Sequence, residues 1–367
     1  MTNLDSYFIR YTDKLAYIDL KDDKNYSKLK DLPLPIYLDD MKDGIKSGDF
    51  GNEINIEILL EGMLINIAID PDFKFKDDYI NIIDSYIKNI GDYTAAKAMK
   101  IESEDKIKAT LLARAGYIID EKNNYNSYIY ARLLWPMAYD EDSDFRDSFV
   151  RSALEILQKT LSYDENFAIS YYELGNIYAN LGEYIKARSY YKNALAKTDD
   201  DYAKEEIRNN ISQINDNAEI EEALYFIGKS NYQEAVTILT KLLGQVKRAD
   251  AYYYLGVAYQ NLTQYQNSIM AFENSLDLGA DFREIYNDYA VSLYLDKSEL
   301  EAIDILNKGL KKYPQDPRMT YNKIQINLVI GNTSQAKSDI EELLTYDDLS
   351  EEIKENLLIL QKQYEIN

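Results

Sequence analysis

Apolar side chains recur at helical spacing along most of the chain, and short polar stretches interrupt them. This periodicity is the spacing that one buried face of an amphipathic helix requires. Outside the region with a regular repeat, it predicts helices at residues 54–69, 104–119, 125–138, 144–162 and 349–363. Pro136 is expected to kink or end the third of these, because proline cannot donate to the helical ladder. The pattern therefore predicts an all-α fold.

A set of residue types returns at a fixed interval in the second half of the chain. The first copy consists of Tyr171, Leu174, Gly175, Tyr178, Ala187 and Tyr191. It returns as Tyr252, Leu255, Gly256, Tyr259, Ser268 and Phe272, and in weaker form between Tyr286 and Pro314. A small residue of each second helix falls at Ala235, Ser268, Ala302 and Ala336, at intervals of 33, 34 and 34 residues. Such a period predicts stacked helix pairs.

These residues resemble the tetratricopeptide repeat, in which a bulky aromatic residue, Leu-Gly, Tyr, Ala, an aromatic residue and Pro stand at matching offsets. Five repeats fit, at residues 168–201, 216–248, 249–282, 283–316 and 317–350. The resemblance implies a right-handed α-solenoid of antiparallel helix pairs that share a continuous core. It divides the chain into an irregular segment at 1–50, degenerate helical repeats at 51–165, the repeats at 166–350 and a capping helix at 351–367.

Single positions refine this expectation. Gly175 and Gly256 are expected where paired helices approach most closely, and Gly182 and Gly331 in turns that need a positive φ. Residues 200–214 exceed the period and carry isoleucines at helical spacing, so they either lengthen a helix of the next repeat or form a separate helix. Residues 31–37 contain two prolines and predict an extended segment. That segment either lies along the first helices or serves as a proline-rich ligand for another domain.

Composition and charge exclude several classes of function. The chain has 64 acidic and 41 basic residues, a net charge of −23, and neither histidine nor cysteine. A disulfide framework, a thiolate nucleophile, a Ser-His-Asp triad and imidazole metal ligands are therefore excluded. Phosphate binding needs clustered cations, so we expect no nucleic acid partner. The most apolar stretch, 54–69, is too short and too charged to span a membrane, and we expect a cytoplasmic protein.

Two acidic clusters, at 140–144 and 199–201, could offer oxygen ligands to a divalent cation. Neither has the spacing of an EF-hand loop. Solvated linkers or charges at helix N-termini are the favoured interpretation, because the helix dipole stabilises acids there. The sequence thus predicts no metal, no cofactor and no catalytic residue.

The resemblance implies a concave groove lined by the second, fifth, ninth and twelfth positions of each repeat. From the residues at these positions we select as the candidate groove Ile169, Tyr172, Asn176, Asp250, Tyr253, Val257, Gln260, Asn287, Val291, Tyr294, Arg318, Tyr321 and Gln325. Such a mixed surface suits an extended peptide or a helix. No lysine stands at these positions, so a clamp for a peptide carboxylate is disfavoured and a neutral to basic peptide fits better.

Three functions stay open at this stage. The first is a non-catalytic scaffold that binds a protein or peptide in the groove. The second is a regulator, similar in outline to bacterial repeat proteins that sense a peptide and then engage or release a second protein. Residues 1–50 are acidic and carry no basic helix-turn-helix, which disfavours binding to DNA. The third is an enzyme with its catalytic part in residues 1–130.

Overall fold

The computed structural model describes residues 3–18, 29, 32–47, 55–140, 143–347 and 349–364. The chain divides into two compact units, residues 1–213 and 214–367. Most described residues are helical, and the prediction of an all-α solenoid of helix pairs is confirmed. One two-stranded sheet near the N-terminus adds to it. No helix in these described ranges combines the length and the apolarity needed to cross a bilayer.

The described part of the first unit begins with short elements and continues with helices. They are α1 (Asn3–Phe8), a 3₁₀ helix (Ile9–Lys14), β1 (Leu15–Ile18), β2 (Leu34–Tyr37), α2 (Leu38–Ser47), α3 (Ile56–Ile69), α4 (Lys76–Tyr86), α5 (Ile90–Ile101), α6 (Lys106–Ile119), α7 (Asn124–Asp140), α8 (Ser143–Tyr163), α9 (Ala168–Asn180) and α10 (Tyr184–Lys197). From α5 onwards the helices pack as successive pairs, α5 with α6, α7 with α8 and α9 with α10.

The helix α11 (Asp201–Gly228) runs across the boundary at 213. The second unit continues with α12 (Tyr232–Leu243), α13 (Ala249–Asn261), α14 (Tyr265–Asp277), α15 (Arg283–Leu295), α16 (Glu299–Lys312), α17 (Pro317–Val329), α18 (Thr333–Leu343) and α19 (Glu351–Gln363). Its pairs are α13 with α14, α15 with α16 and α17 with α18. The domain boundaries derived from the sequence stay predictions.

Two helices settle questions that the sequence posed. Residues 200–214 do not form a helix of their own, because α11 is one helix of 28 residues that includes them from Asp201 onwards. Pro136 does not end its helix, since α7 continues through it to Asp140, and the alternative, a kink, stays a prediction. Only one helical turn follows Pro136, so the bond that its missing N–H removes lies near the frayed end of the helix.

The N-terminal segment differs from the irregular chain expected for residues 1–50. In its described part, β1 and β2 pair antiparallel, from Leu15 opposite Tyr37 to Ile18 opposite Leu34. All of β2 is buried against α3, and a Cβ on Gly62 of α3 would lie 1.9 Å from the carbonyl oxygen of Pro35. The segment is thus extended and lies along a helix, as the first interpretation of its prolines required.

Two buried cations of α6 also hold this segment. Arg114 pairs with Asp5 and lies 4.4 Å from the ring centre of Phe8. Lys108 pairs with Asp40 at 2.7 Å and lies 5.6 Å from the ring centre of Tyr37. Each cation therefore contacts one acid and one aromatic ring of the N-terminal segment, which stand three positions apart in the sequence, and Lys108 also pairs with Glu61 of α3 at 3.0 Å. A buried charge is tolerated when it is paired in this way.

An aromatic ring of the second helix lies on a glycine of the first helix in two pairs. A Cβ on Gly175 would lie 2.5 Å from the Tyr191 ring, and a Cβ on Gly256 would lie 2.7 Å from the Phe272 ring. The expectation of close approach at these glycines is confirmed. Tyr191 and Phe272 are 3% and 0% exposed, so the rings seal the interior of their pairs.

The turn between paired helices repeats the same backbone geometry. In the turns α9–α10, α11–α12, α13–α14, α15–α16 and α17–α18 one residue has a positive φ, from 57° to 80°, and these residues are Gly182, Ser230, Thr263, Lys297 and Gly331. The next amide donates to the carbonyl five residues earlier, for example Gln264 N to Tyr259 O at 2.9 Å. This is the Schellman ending of a helix. The positive φ expected at Gly182 and Gly331 is confirmed, and three other residues adopt it without being glycine.

We expect Gly256→Ala to lower the free energy of unfolding by about 1–3 kcal/mol, because the new methyl group overlaps the Phe272 ring. Gly228→Ala is the matched control. It lies at the end of α11 with no atom within 4 Å of a Cβ, so its effect should be neutral or stabilising by at most ~1 kcal/mol. Denaturant titration followed by circular dichroism measures both. Equal losses for the two variants would contradict the packing argument.

We expect Thr263→Gly to raise the free energy of unfolding by roughly 0.5–1 kcal/mol. Thr263 is exposed and holds a φ of 59°, a backbone conformation that strains a β-branched residue. Glycine removes this strain, and the gain exceeds the cost of the greater conformational freedom that glycine has in the unfolded chain. The reverse change, Gly331→Thr, should destabilise the protein by about 1–2 kcal/mol, since its φ is 80°. No atom lies within 4 Å of the added Cβ, so the loss reports backbone strain alone. Thermal unfolding in which both variants shift the same way would refute this account.

Candidate functional site

The first helices of the second unit form a row. Within it α13 contacts α15, α15 contacts α17, and α17 contacts α19. The row carries the groove residues predicted on these helices, which are Asp250, Tyr253, Val257, Gln260, Asn287, Val291, Tyr294, Arg318, Tyr321 and Gln325. Arg318 is exposed and the others are half-buried. Their side chains fall into two groups. The first group bonds to neighbouring elements of the protein, and most of the second group lines cavities at the surface.

The first group, on α13, is engaged inside the protein. Tyr253 Oη donates to Asp288 Oδ2 at 2.8 Å, and its ring lies 4.8 Å from that of Phe282. Gln260 Nε2 donates to the Asp288 carbonyl oxygen and to Ser292 Oγ, both at 2.8 Å. Burial raises the pKa of Asp288, and the hydrogen bond from Tyr253 opposes this shift. These side chains tie α13 to α15.

The other two predicted residues of α13 are also partnered. Asp250 forms an ion pair with Arg248 at 2.6 Å. Burial opposes ionisation of Asp250, but Arg248 outweighs it and the pKa of Asp250 is lowered. Val257 packs against the hydrophobic cluster around Phe272. The α13 part of the predicted groove therefore stabilises the stack of repeats.

The second group, apart from Tyr321, lines two cavities along α15 and α17. Tyr321 packs against the hydrophobic cluster around Ile324 and Leu357. The charged cavity has a volume of about 360 Å³. It is lined by Arg283, Glu284, Asn287, Asp288, Asp316, Pro317, Arg318, Ser350 and Ile353. Asp316 is buried, caps α17 by accepting from Met319 N at 2.9 Å, and lies 3.9 Å from Arg283. This cavity brings together two of the predicted residues, Asn287 and Arg318.

The apolar cavity has a volume of about 280 Å³. Its lining residues carry no charge and are Val291, Tyr294, Leu295, Asn322, Gln325, Ile326, Val329, Leu360 and Tyr364. Three of them, Val291, Tyr294 and Gln325, were predicted for the groove. Amides lie at its border with the charged cavity, where Asn322 Nδ2 donates to Asn287 Oδ1 at 2.7 Å. Gln325 Nε2 donates to Tyr321 Oη at 3.2 Å.

The predicted residues of the first unit belong to a polar network on α9. Tyr172 Oη donates to Glu206 and accepts from Asn210 at 3.1 Å. Tyr191 Oη donates to Asn176 Oδ1 at 2.7 Å. Burial, reinforced by Glu206, raises the pKa of Tyr172 to about 12. Ile169 lies half-buried on the same helix. The side chains of Tyr172 and Asn176 are thus hydrogen-bonded to residues of α9, α10 and α11.

The acidic clusters show no sign of a metal site in the described residues. No group of three or more acidic side chains is placed to hold a metal ion there. Asp200 Oδ1 accepts from Ala203 N at 3.0 Å, and Asp201 lies 3.5 Å from the Lys204 ammonium group. This cluster therefore supplies charges and a cap at a helix N-terminus, the interpretation favoured above. Residues 141 and 142 of the other cluster lie outside the described residues.

Sequence reasoning missed two parts of the cavities. Asp288 and Asn322 stand next to predicted positions, and their role depends on how neighbouring first helices pack. The wall contributed by α19 was missed because that helix was interpreted only as a cap. Its partly buried residues Ile353, Leu360 and Tyr364, with buried Leu357, recur at helical spacing. That periodicity on a first-helix position was a signal that α19 extends the row.

Solved structures with similar folds cover much of the chain. One is YrrB, described as a TPR protein with an unusual peptide-binding site, at 18% identity over 53% of this chain and 93% of that one, with a TM-score of 0.39. PilW, a type IV pilus biogenesis factor, is 16% identical over 62% and 98%, with a TM-score of 0.41. A tetratricopeptide repeat protein from Parabacteroides merdae is 17% identical over 72% and 96%, at 0.36.

The sequence itself gives a firmer assignment. No curated protein matches the chain. Two family models, both described as tetratricopeptide repeat, match residues 168–201 and 249–281. These ranges correspond to the α9–α10 and α13–α14 pairs, whose rings lie on Gly175 and Gly256. The chain therefore contains tetratricopeptide repeats at residues 168–201 and 249–281.

Proposed function

We propose that the protein is a non-catalytic scaffold that binds a peptide segment of a partner along the first helices of the second unit. We call the surface formed by the charged and apolar cavities the α15–α17 groove. The observation that carries the proposal is that both cavities lie side by side on this surface and contain predicted groove residues. Repeats of this type are interaction modules, which supports a protein partner.

The chemistry of the α15–α17 groove suits a peptide. Its border amides, Asn287, Asn322 and Gln325, each offer donors and acceptors of the kind that a peptide backbone needs. Tyr294 is an amphipathic ring, which supplies contact area at low entropic cost. Each cavity is near or below the lower end of the range of about 300–1,000 Å³ that small-molecule sites occupy. Side chains of a peptide fit such volumes better than a whole cofactor does.

Selection from a phage library of random 12-residue peptides on the full-length protein tests this function. We expect recovered peptides to bind at least tenfold more weakly to Tyr294→Ala and to Gln325→Ala, which corresponds to about 1.4 kcal/mol. Fluorescence anisotropy with synthetic peptides measures the affinities, and circular dichroism verifies that both variants fold.

The control is Tyr202→Ala. Tyr202 lies on α11 in the first unit, and its side chain is 80% exposed. This variant should bind the selected peptides as the wild type does. The proposal fails when the library yields no binder, or when the groove variants bind the selected peptides with unchanged affinity.

A further inference from the structure

The helix α19 forms part of both cavities of the groove. Ser350, its N-cap, and Ile353 line the charged cavity, and Leu360 and Tyr364 line the apolar cavity. Leu357 of α19 is 1% exposed and packs in the cluster formed with α17 and α18. The buried Leu357 thus anchors α19 to α17 and α18, while residues before and after Leu357 border the groove. It acts as a fixed wall and not only as a cover for the last repeat.

The two cavities are separated by a distance that helix geometry defines. Asn287 in the charged cavity and Tyr294 in the apolar cavity are seven positions apart on α15, as are Arg318 and Gln325 on α17. At a rise of about 1.5 Å per residue, seven positions span about 10 Å. A peptide in the polyproline II conformation rises about 3.1 Å per residue and has three residues per turn, so side chains three residues apart point to the same side at a separation of about 9 Å. A peptide lying along the groove therefore places side chains three residues apart into the two cavities.

The charge of the first cavity selects the chemistry of one of these side chains. Three carboxylates, from Glu284, Asp288 and Asp316, face two guanidinium groups. Arg283 lies near Asp316 and 6.0 Å from the Tyr313 ring centre, so its charge is directed to Asp316. The two remaining carboxylates, of Glu284 and Asp288, then face one remaining cation, the exposed Arg318. Glu284 is exposed and accessible to a ligand. The balance is negative, so a basic group complements it.

The second cavity selects an apolar side chain. None of its lining residues is charged, and it is bordered by aliphatic groups and by the rings of Tyr294 and Tyr364. Burying an apolar side chain there removes its surface from water, which is the main favourable term in such contacts. A charged side chain would lose its hydration with no partner of opposite charge.

We propose that the α15–α17 groove recognises a peptide segment with a basic side chain three residues away from an apolar side chain, in either chain direction, and that α19 is the wall against which the apolar side chain packs. The proposal deepens the proposed function and rests on it. The partner is defined by this pair of anchors and by their spacing.

The sequences of the peptides recovered from the random library provide the first test. We expect enrichment of Lys or Arg three positions from Leu, Ile, Phe or Tyr, compared with the unselected library. Moving the basic residue two positions along a synthetic binder, at constant composition, should weaken binding at least tenfold. Enrichment of Asp or Glu, or of apolar residues without a basic neighbour, would overturn the inference while leaving the proposed function intact. A library that yields no binder would overturn both.

Charge reversal at Glu284 provides the second test. Glu284→Lys should weaken a basic synthetic binder at least tenfold and should restore binding to the same peptide with Lys replaced by Glu. Glu355→Lys is the matched control, because Glu355 is exposed on α19 and lines neither cavity. Equal effects of the two reversals would show that only the overall charge of the protein matters, and would overturn the assignment of the charged cavity.

Truncation of the α19 wall provides the third test. Tyr364→Ala should weaken the same peptide at least fivefold, whereas Ile359→Ala should not, because Ile359 is 60% exposed and lies outside both cavities. Loss of the preference for a large apolar anchor in Tyr364→Ala would identify the contact. Unchanged affinity in a folded Tyr364→Ala variant would show that α19 is only a cap.

Discussion

The contact between an aromatic ring and a bare helix backbone sets the geometry of the repeats. Where the first helix carries Gly175 or Gly256, the rings of Tyr191 and Phe272 lie where a side chain would otherwise be. In the following pair, 34 residues further on, Ala290 takes the place of the glycine and Leu306 that of the ring, and both are fully buried. A larger residue on one helix is thus matched by a smaller one on the other, which keeps the packed volume nearly constant.

This packing also decides which side chains are free to meet a partner. Because the first helices of the second unit lie in contact, the long side chains of α13 reach α15. Gln260 bonds Ser292, and Tyr253 bonds Asp288. At the same repeat positions of α15, Asn287 and Tyr294 border cavities instead. The repeat position therefore places a residue on the face of a helix, while the neighbouring helix determines whether the side chain is structural or accessible.

The sequence predicted the second half of the fold well because one period specifies both the helices and their packing. The turns show how strongly the period determines the backbone, since Ser230, Thr263 and Lys297 hold positive φ values at the turn position where other repeats have glycine. The first 50 residues carry no such period. The pairing of β1 with β2 depends on their burial against α3, a tertiary effect that local propensity does not encode. The cavities were only half predicted, because α19 follows the last complete repeat.

The acidic excess of the chain is used differently in the two units. In the first unit, Asp5 and Asp40 neutralise Arg114 and Lys108, so acids of the N-terminal segment compensate cations that α6 buries. In the second unit, Asp250 is compensated by Arg248. Glu284 and Asp288 share a cavity with fewer cations than carboxylates. Part of the net charge of −23 is therefore located in the α15–α17 groove, where the carboxylates outnumber the cations. These acids lie next to an apolar cavity that has the size of a side chain.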